Sequence, residues 1–227
     1  MIAGCDEAGK GCVLGDLVLS ITLIKNQDKI KSLGLKDSKL LSSKKREELD
    51  IKIRKLCKVY SYSITAKELN ELMCHYSLNE IEAMKIAYLI NQIYEDGCTI
   101  KTLYVDSPDT IANRFTKRIK KYLTTEKDKI EKKMKKMKIV SEHKADENYP
   151  IVSAASIISK VKRDAEIERI KKEVNYDFNS GYTSDKITIQ FLEKRYDDPK
   201  VEKYIRKRWK TYERIKESAK QNKLGDF

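Results

Sequence analysis

The chain has 227 residues, enough to bury a large core, so we expect it to fold without disulfide bonds. Its 48 Lys and Arg residues exceed its 35 Asp and Glu residues, and the net charge of +13 favours a polyanionic partner, although a solvated lysine surface gives the same count. No apolar run approaches the ~18 residues that span a bilayer, no secretory signal is found and the five cysteines lack C-x-x-C spacing, so we expect a cytoplasmic protein with reduced thiols and no membrane partner. A disulfide between Cys5 and Cys12 is the alternative.

The first part of the chain alternates between strand-like stretches and glycines. Met1–Cys5 and Val13–Ile24 flank a glycine-rich break, which predicts a β-hairpin. Residues 58–65 have the period-two pattern of a third strand. A helix capped by Ser42 or Ser43 is predicted before this strand, with an apolar side formed by Leu49, Ile53 and Leu56.

The middle of the chain predicts a helix, a strand and a second helix. Ser77 and Glu80 have the spacing of a capping box, and the helix they open has an apolar side formed by Ile81, Met84, Tyr88 and Ile93. Residues 100–105 are predicted to form a buried strand that leaves Asp106 at its carboxyl end, because a proline follows two residues later. The next helix has its own apolar side, formed by Ile111, Phe115, Ile119 and Tyr122.

A lysine-rich segment, residues 127–138, separates this part from the last predicted strand. We interpret it as a solvated helix face or edge loop, with phosphate contact as the alternative. A short strand from Lys138 leads to His143 and Asp146, and Pro150 opens a helix whose early turns are small: Ser153, Ala154, Ala155 and Ser156. Strands in a run that then alternate with helices predict an α/β fold, a mixed five-stranded sheet flanked by helices.

Acidic residues lie at or just after the ends of three predicted strands. Ligands gather at the carboxyl ends of strands in such sheets, so Asp6, Glu7, Asp106 and Asp146 are predicted to converge. Carboxylates bind hard cations, and two ions roughly 4 Å apart can promote attack of water at phosphorus. The pattern therefore favours a metal-dependent phosphodiesterase, although each acid alone could cap a turn. Adjacent strand residues face opposite ways, so Asp6 and Glu7 share one site only if the strand ends or bends, which the glycines at positions 9 and 11 allow.

Six sequence blocks, in order, resemble type 2 ribonuclease H and particularly its archaeal form. They are Asp6–Gly11, Asp37–Lys39, Tyr104–Pro108, His143–Asp146, Tyr149–Ile157 and Lys160–Asp164, and the resemblance covers most of residues 1–200. It implies an RNase H-like fold and endonucleolytic cleavage of RNA in RNA–DNA hybrids and at single ribonucleotides in duplex DNA. It also implies the use of Mg²⁺ or Mn²⁺ and the formation of 3′-hydroxyl and 5′-phosphate ends.

The resemblance also implies roles for individual residues. The metal ligands would be Asp6, Glu7 and Asp106, with Asp146 as the fourth acid. The substrate-binding residues would be Gly9, Lys10 and Gly11 against the ribose 2′-hydroxyl, Lys39 at a phosphate and Tyr182 at the RNA-to-DNA junction.

Two positions depart from the family pattern. Lys10 replaces the usual arginine, which removes a bidentate side-chain contact, and Cys12 replaces a common proline, which we expect to loosen the turn. His143 would assist proton transfer or product release, or make only a structural hydrogen bond.

The tail differs in character from the rest of the chain. We predict a catalytic domain at residues 1–198 and a basic C-terminal helical extension at residues 199–227. On one helix, an apolar stripe formed by Val201, Ile205, Trp209 and Tyr212 would pack on the domain. The basic residues would face a phosphate backbone: Lys203, Arg206, Lys207, Lys210, Arg214 and Lys216. The ending Leu224–Phe227 suggests contact with a sliding clamp, and we expect a monomer.

Two other functions compete with this interpretation. One is another metal-dependent nuclease of the same fold, such as a junction resolvase or a type 3 ribonuclease H. We expect the type 3 enzymes to fit less well, because they carry an N-terminal substrate-binding domain and this chain begins at its first predicted catalytic strand. The other is a non-catalytic, basic nucleic-acid-binding protein whose acids only cap turns. Four acids at predicted strand ends favour the enzyme.

Overall fold

The computed structural model describes residues 1–35, 41–123 and 128–225. Its strands are β1 (Ile2–Ala8), β2 (Leu17–Ile24), β3 (Lys58–Ile64), β4 (Thr102–Asp106) and β5 (Lys138–Glu142). Its helices are α1 (Asp28–Lys31), α2 (Ser43–Leu56), α3 (Ala66–Leu72), α4 (Leu78–Glu95), α5 (Ala112–Lys121), α6 (Asp128–Met134), α7 (Ala145–Asn148), α8 (Pro150–Val174), α9 (Lys186–Arg195), α10 (Pro199–Glu202) and α11 (Lys210–Gly225). Within these ranges, no helix is long and apolar enough to cross a membrane.

The strands form one mixed sheet in the order β3-β2-β1-β4-β5, which confirms the predicted α/β fold. β2 runs antiparallel to β1, as the hairpin prediction requires, and β4 runs parallel to β1 and to β5. The carboxyl ends of β1, β4 and β5 therefore lie at one edge of the sheet. All five cysteines are free thiols in this structure.

The chain divides into two compact units, each built from three segments. The first unit comprises Met1–Ala8, Val18–Tyr62 and Ser77–Val161, and the second comprises Gly9–Leu17, Ser63–Tyr76 and Lys162–Phe227. The predicted division into a catalytic domain at residues 1–198 and an extension at residues 199–227 stays a prediction.

In the first unit, α8 packs directly on the sheet. Gly4 of β1 lies so close to α8 that a Cβ atom there would sit 2.4 Å from the carbonyl carbon and oxygen of Ile151. The predicted small residues of this helix are all buried: Ser153, Ala154, Ala155 and Ser156. Small side chains on the helix and a glycine on the strand thus permit the close approach.

Some predicted helix faces need correction. Ile81 and Ile93 of α4 are buried, but Tyr88 is 46% exposed and forms a T-shaped ring contact with Tyr62. Tyr88 lies outside the buried side of α4, which is formed by residues that the prediction omitted: Ala83, Ile86, Ala87, Leu89 and Ile90. Leu56 and Ile111 are also exposed rather than buried. In the 127–138 segment the described lysines are exposed and both methionines, Met134 and Met137, are buried, as expected for a solvated helix face.

The single amphipathic helix predicted for the tail is wrong. The chain forms the short helix α10, leaves helical geometry, and resumes as α11. Between the two helices, Ile205 forms a β-bridge with Leu14 and the N–H of Arg206 donates to the Val13 carbonyl at 2.9 Å. These backbone bonds fix the chain at Ile205 and Arg206, and the side chain of Arg206, predicted to be exposed, is buried in the core of the second unit. The predicted apolar residues still pack there: Val201, Ile205, Trp209 and Tyr212.

Candidate active site

Asp6 is a buried carboxyl group near the carboxyl end of β1. Its Oδ1 accepts the N–H of Glu7 at 2.8 Å, and the hydroxyl of Ser156 is hydrogen-bonded to its side chain. Burial raises the pKa of Asp6 well above its usual value, and the negative charges of Glu7 and Asp106 raise this pKa further. A carboxyl group in this position gains from binding either a proton or a cation.

Asp106 is the last residue of β4 and shares the sheet edge with Asp6. The parallel register pairs Cys5 with Val105, so the residues that follow them, Asp6 and Asp106, lie at the same level of the sheet. Parallel neighbours at one level point to the same face. The structure therefore brings these two carboxylates together, as the sequence predicts.

Asp146 follows a residue whose backbone N–H is hydrogen-bonded to the Asp106 side chain. The Oδ1 of Asp106 accepts the N–H of Ala145 at 2.8 Å, and Ala145 immediately precedes Asp146 in α7. Asp146 is itself buried, and its carbonyl accepts the hydroxyl of Ser153. Asp106 thus fixes the turn that carries the fourth predicted acid.

Glu7 occupies a different position from the other acids. β1 stays paired with β2 through Ala8, opposite Val18, so the strand neither ends nor bends between Asp6 and Glu7. The two side chains consequently point to opposite faces of the sheet. Glu7 is still near enough for its charge to act on the pKa values of both Asp6 and Cys5.

The carboxylates are neighbours without forming a closed metal cage. In the parts of the chain that the structure describes, no three Asp, Glu, His or Cys side chains are arranged to hold one metal ion together. Mg²⁺ is usually bound by one or two carboxylates and keeps water and substrate phosphate as its other ligands. A pair of hard oxygen donors such as Asp6 and Asp106 fits that requirement, and a bound cation would offset the negative charge that raises the pKa of Asp6.

A charged network holds the loop that follows Asp106. Asn79 Nδ2 donates to Asp109 Oδ1 at 2.7 Å, and Arg118 Nε donates to Asp109 Oδ2 at 2.9 Å. Arg118 also pairs with Glu80, which lies on α4 beside Asn79. Residues in the first turn of α4 therefore anchor the segment that follows β4.

Other residues near the acids carry no recognisable sequence signal. Glu82 of α4 is 1% exposed. Burial raises the pKa of the Cys5 thiol most, the charges of Asp6 and Glu7 raise it further, and the charge of Glu82 makes a smaller contribution in the same direction. Ser159 of α8 donates its hydroxyl to the Asp6 carbonyl at 3.1 Å.

The second unit brings together the predicted substrate-binding glycines and Tyr182. Gly9 has φ 87°, and a Cβ atom there would lie 2.8 Å from the Asp16 carbonyl oxygen, so the turn requires glycine. A Cβ atom on Gly11 would lie 3.5 Å from the Tyr182 ring. The guanidinium of Arg163 lies over that ring, 4.6 Å from its centroid.

Cys12, expected to loosen this turn, instead helps to hold it. Its N–H donates to the Gly9 carbonyl at 3.2 Å, a bond that proline could not make, and it forms a β-bridge with Tyr182. Its sulfur accepts a hydrogen bond from Arg163 Nη2 at 2.9 Å. The substitution therefore replaces the rigidity of proline with hydrogen bonds.

The remaining predicted residues are placed as follows. Lys39, with Asp37 and Ser38, lies outside the described residues, and so do Asp226 and Phe227 of the suggested clamp contact. The Nε2 of His143 lies 3.3 Å from the Thr110 carbonyl oxygen, which fits the structural hydrogen bond.

Comparison with known proteins identifies the family. Residues 3–212 match the family model described as Ribonuclease HII. The chain is 39% identical over 227 residues to ribonuclease HII of Archaeoglobus fulgidus, with all of both chains covered. The crystal structure of ribonuclease H2 from Pyrococcus horikoshii matches with a TM-score of 0.80 and 38% identity, covering 96% of this chain and 97% of that one. The A. fulgidus PCNA:RNase HII complex matches with a TM-score of 0.81 and 39% identity, covering 95% and 96%. The chain therefore belongs to the ribonuclease HII family, and it is a divalent-metal-dependent endonuclease that hydrolyses RNA in RNA–DNA hybrids.

Proposed function

We propose that this enzyme cleaves the RNA strand of RNA–DNA hybrids and also incises duplex DNA at single embedded ribonucleotides, leaving 3′-hydroxyl and 5′-phosphate ends. One observation carries the proposal. Asp6 and Asp106 lie at the same level of two parallel strands, and Asp106 also holds the turn that carries Asp146. This arrangement supports a shared phosphodiester-cleaving centre.

The four acids would hold the divalent cations, Mg²⁺ or Mn²⁺. Asp6 and Asp106 would be ligands through their side chains, and Asp146 would complete the centre from α7. Glu7 would contribute through its backbone carbonyl, because its side chain points to the other face of the sheet. Two such ions, when bound, supply an activated water and stabilise the leaving oxygen. Ser156 would orient the Asp6 carboxylate through its hydrogen bond.

Substrate recognition would come from the Gly9-Lys10-Gly11 turn and Tyr182. Backbone groups of the turn would contact the ribose 2′-hydroxyl, the group that separates RNA from DNA at one nucleotide. The Tyr182 ring, backed by Arg163, would stack at the RNA-to-DNA junction. Lys39 would contact a phosphate, a role that rests on the sequence motif alone.

A sliding clamp is the proposed protein partner. The A. fulgidus relative has been solved as a complex with PCNA. We assign the equivalent contact to the end of this chain, Leu224–Phe227.

The proposal is tested by Asp106→Asn. This change removes one negative charge and a metal ligand, so cleavage of a DNA duplex that contains one ribonucleotide should fall by about 10³-fold or more, while duplex binding stays near that of the wild type. The matched control is Asp197→Asn, the same chemical change at a position outside the site, which should cleave normally. If the wild-type enzyme leaves this substrate uncut with both Mg²⁺ and Mn²⁺, the proposal is wrong.

A further inference from the structure

Arg206 is fully buried in the second unit, and its guanidinium binds three backbone carbonyls of one turn. Nε donates to the Gly15 oxygen at 2.8 Å, and Nη1 donates to the Gly9 oxygen at 2.7 Å and to the Lys10 oxygen at 3.2 Å. The side chain is thus directed at the inner side of the glycine turn.

These contacts fix the direction of two peptide groups. In a planar trans peptide the C=O and the N–H point to opposite sides. The Gly9 carbonyl shares its peptide plane with the Lys10 N–H, and the Lys10 carbonyl shares its plane with the Gly11 N–H. Because both carbonyls point toward the buried guanidinium, both N–H groups point away from it. Successive N–H groups with a common direction form a site for an electron-rich oxygen atom.

The buried charge of Arg206 is incompletely compensated within the described residues. No described carboxylate lies within ion-pair distance of it, although the negative charge of Asp16 acts on it, and its Nη2 is buried without a hydrogen-bond partner. The ring of Trp209, 4.9 Å from the guanidinium carbon, provides a cation–π contact. Burial lowers the pKa of Arg206 to about 10, so the group is still charged at neutral pH. Taking a charged group out of water is costly, and here the hydrogen bonds that offset the cost are made to carbonyl groups of the glycine turn.

We propose that Arg206 is a positioning residue for RNA recognition, which orients the N–H groups of Lys10 and Gly11 toward the substrate by holding the carbonyls on the other side of the turn. Arg206 itself does not touch the nucleic acid. This inference rests on the proposed role of the turn in reading the ribose 2′-hydroxyl.

The test measures the preference for a ribonucleotide rather than activity alone. Affinities are measured without divalent metal for two duplexes of one sequence, an all-DNA duplex and one with a single ribonucleotide. Arg206→Gln removes the charge and the two-pronged geometry, and it should lower the preference for the ribonucleotide by about tenfold. Arg206→Lys keeps the charge but reaches fewer carbonyls, so its preference should be intermediate. Affinity for the all-DNA duplex should stay within about twofold of wild type, because phosphate contacts dominate it.

Arg208→Gln is the matched control. It removes the same charge two residues away, at an exposed position, and should leave the ribonucleotide preference unchanged. Thermal unfolding of each variant checks the fold, and Arg206→Lys provides the test if Arg206→Gln does not fold.

The outcomes separate the inference from the proposed function. Folded Arg206 variants with wild-type preference would overturn the positioning role, and so would an equal loss of affinity for both duplexes, which indicates a purely structural role. A wild-type enzyme that binds both duplexes equally would instead refute recognition by the turn, and the inference would fall with it.

Discussion

Gly4→Ala tests the close packing of β1 on α8. The added Cβ atom would lie 2.4 Å from two backbone atoms of Ile151 and 2.5 Å from the Val152 nitrogen. An ordinary contact needs about 3.4 Å, so the strand and the helix must separate by about 1 Å. All three opposing atoms belong to the backbone, and no side-chain rotation can relieve the overlap.

The expected cost follows from this geometry. Overpacking in a core costs about 1–3 kcal/mol, and a backbone-to-backbone overlap belongs near the upper end of that range. For a chain of this size, a decrease of about 3 kcal/mol in the free energy of unfolding lowers the unfolding midpoint by about 6–12 °C. The separation would also move Asp6 away from Ser156 and Ser159 on α8. A displacement of about 1 Å can reduce catalysis by about 10²-fold.

Thermal unfolding and cleavage of an RNA–DNA hybrid measure the two effects. Gly34→Ala is the control, because it adds the same methyl group at φ 62° with no atom within 4 Å. It should cost only about 1–2 kcal/mol from the left-handed backbone and leave activity intact. If Gly4→Ala matches the wild type in midpoint and activity, the proposed contact between strand and helix is wrong.

Three further changes address charge and hydrogen bonding. Hydrogen bonds from Tyr122 and Lys121 lower the pKa of Glu80 to about 2, so its stabilising contribution is present above the unfolded pKa of about 4.5 and disappears as pH falls toward 2. Glu80→Gln should therefore lower the free energy of unfolding at pH 7 by about 1–2 kcal/mol and weaken its pH dependence between about 4.5 and 2, as measured by urea titration. Replacing Lys210, Arg214 and Lys216 by Gln should reduce the salt slope of duplex binding by about 0.9 for each phosphate that these side chains neutralise in the wild type. Cys12→Ala should cost about 1–3 kcal/mol in thermal unfolding, because it leaves the buried Nη2 of Arg163 with one acceptor fewer.

Each of these three predictions has a result that would contradict it. An unchanged acid transition in Glu80→Gln would show that another group controls stability at low pH. An unchanged salt slope in the triple variant would show that α11 does not bind phosphate. A Cys12→Ala protein as stable as the wild type would show that the thiol is not an essential acceptor.

Local patterns in the sequence were sufficient to predict the strands and the mixed character of the sheet, but not the order of the strands in it. Alternation in residues 58–65 and the proline after Asp106 set two strands, and the serine caps at Ser42 and Ser77 match the observed helix starts. The helix faces were less predictable, because Tyr88 is apolar enough to fit a buried stripe and yet lies at its edge.

The site was predictable to the extent that strand ends determine it. Asp6 and Asp106 meet because parallel strands end together, which a sequence pattern can show. The burial of Arg206 was not predictable, because its hydrogen-bond acceptors lie 191 to 197 residues away in the sequence, and a helical wheel contains no information about residues that distant. The same limit applies to Ser156, whose bond to Asp6 joins distant parts of the chain.

The sequence separation between Arg206 and Gly9 has a consequence for biosynthesis. The carbonyl of Gly9 emerges early from the ribosome, but its partner follows 197 residues later, roughly 10–40 s at about 5–20 residues per second. During that interval the turn cannot acquire its final hydrogen bonds. A nascent chain that stops before Arg206 would already contain the acids proposed to bind metal, but the turn proposed to recognise the substrate would lack these hydrogen bonds. If both proposals hold, the capacity to select a substrate would be among the last properties that the growing chain acquires.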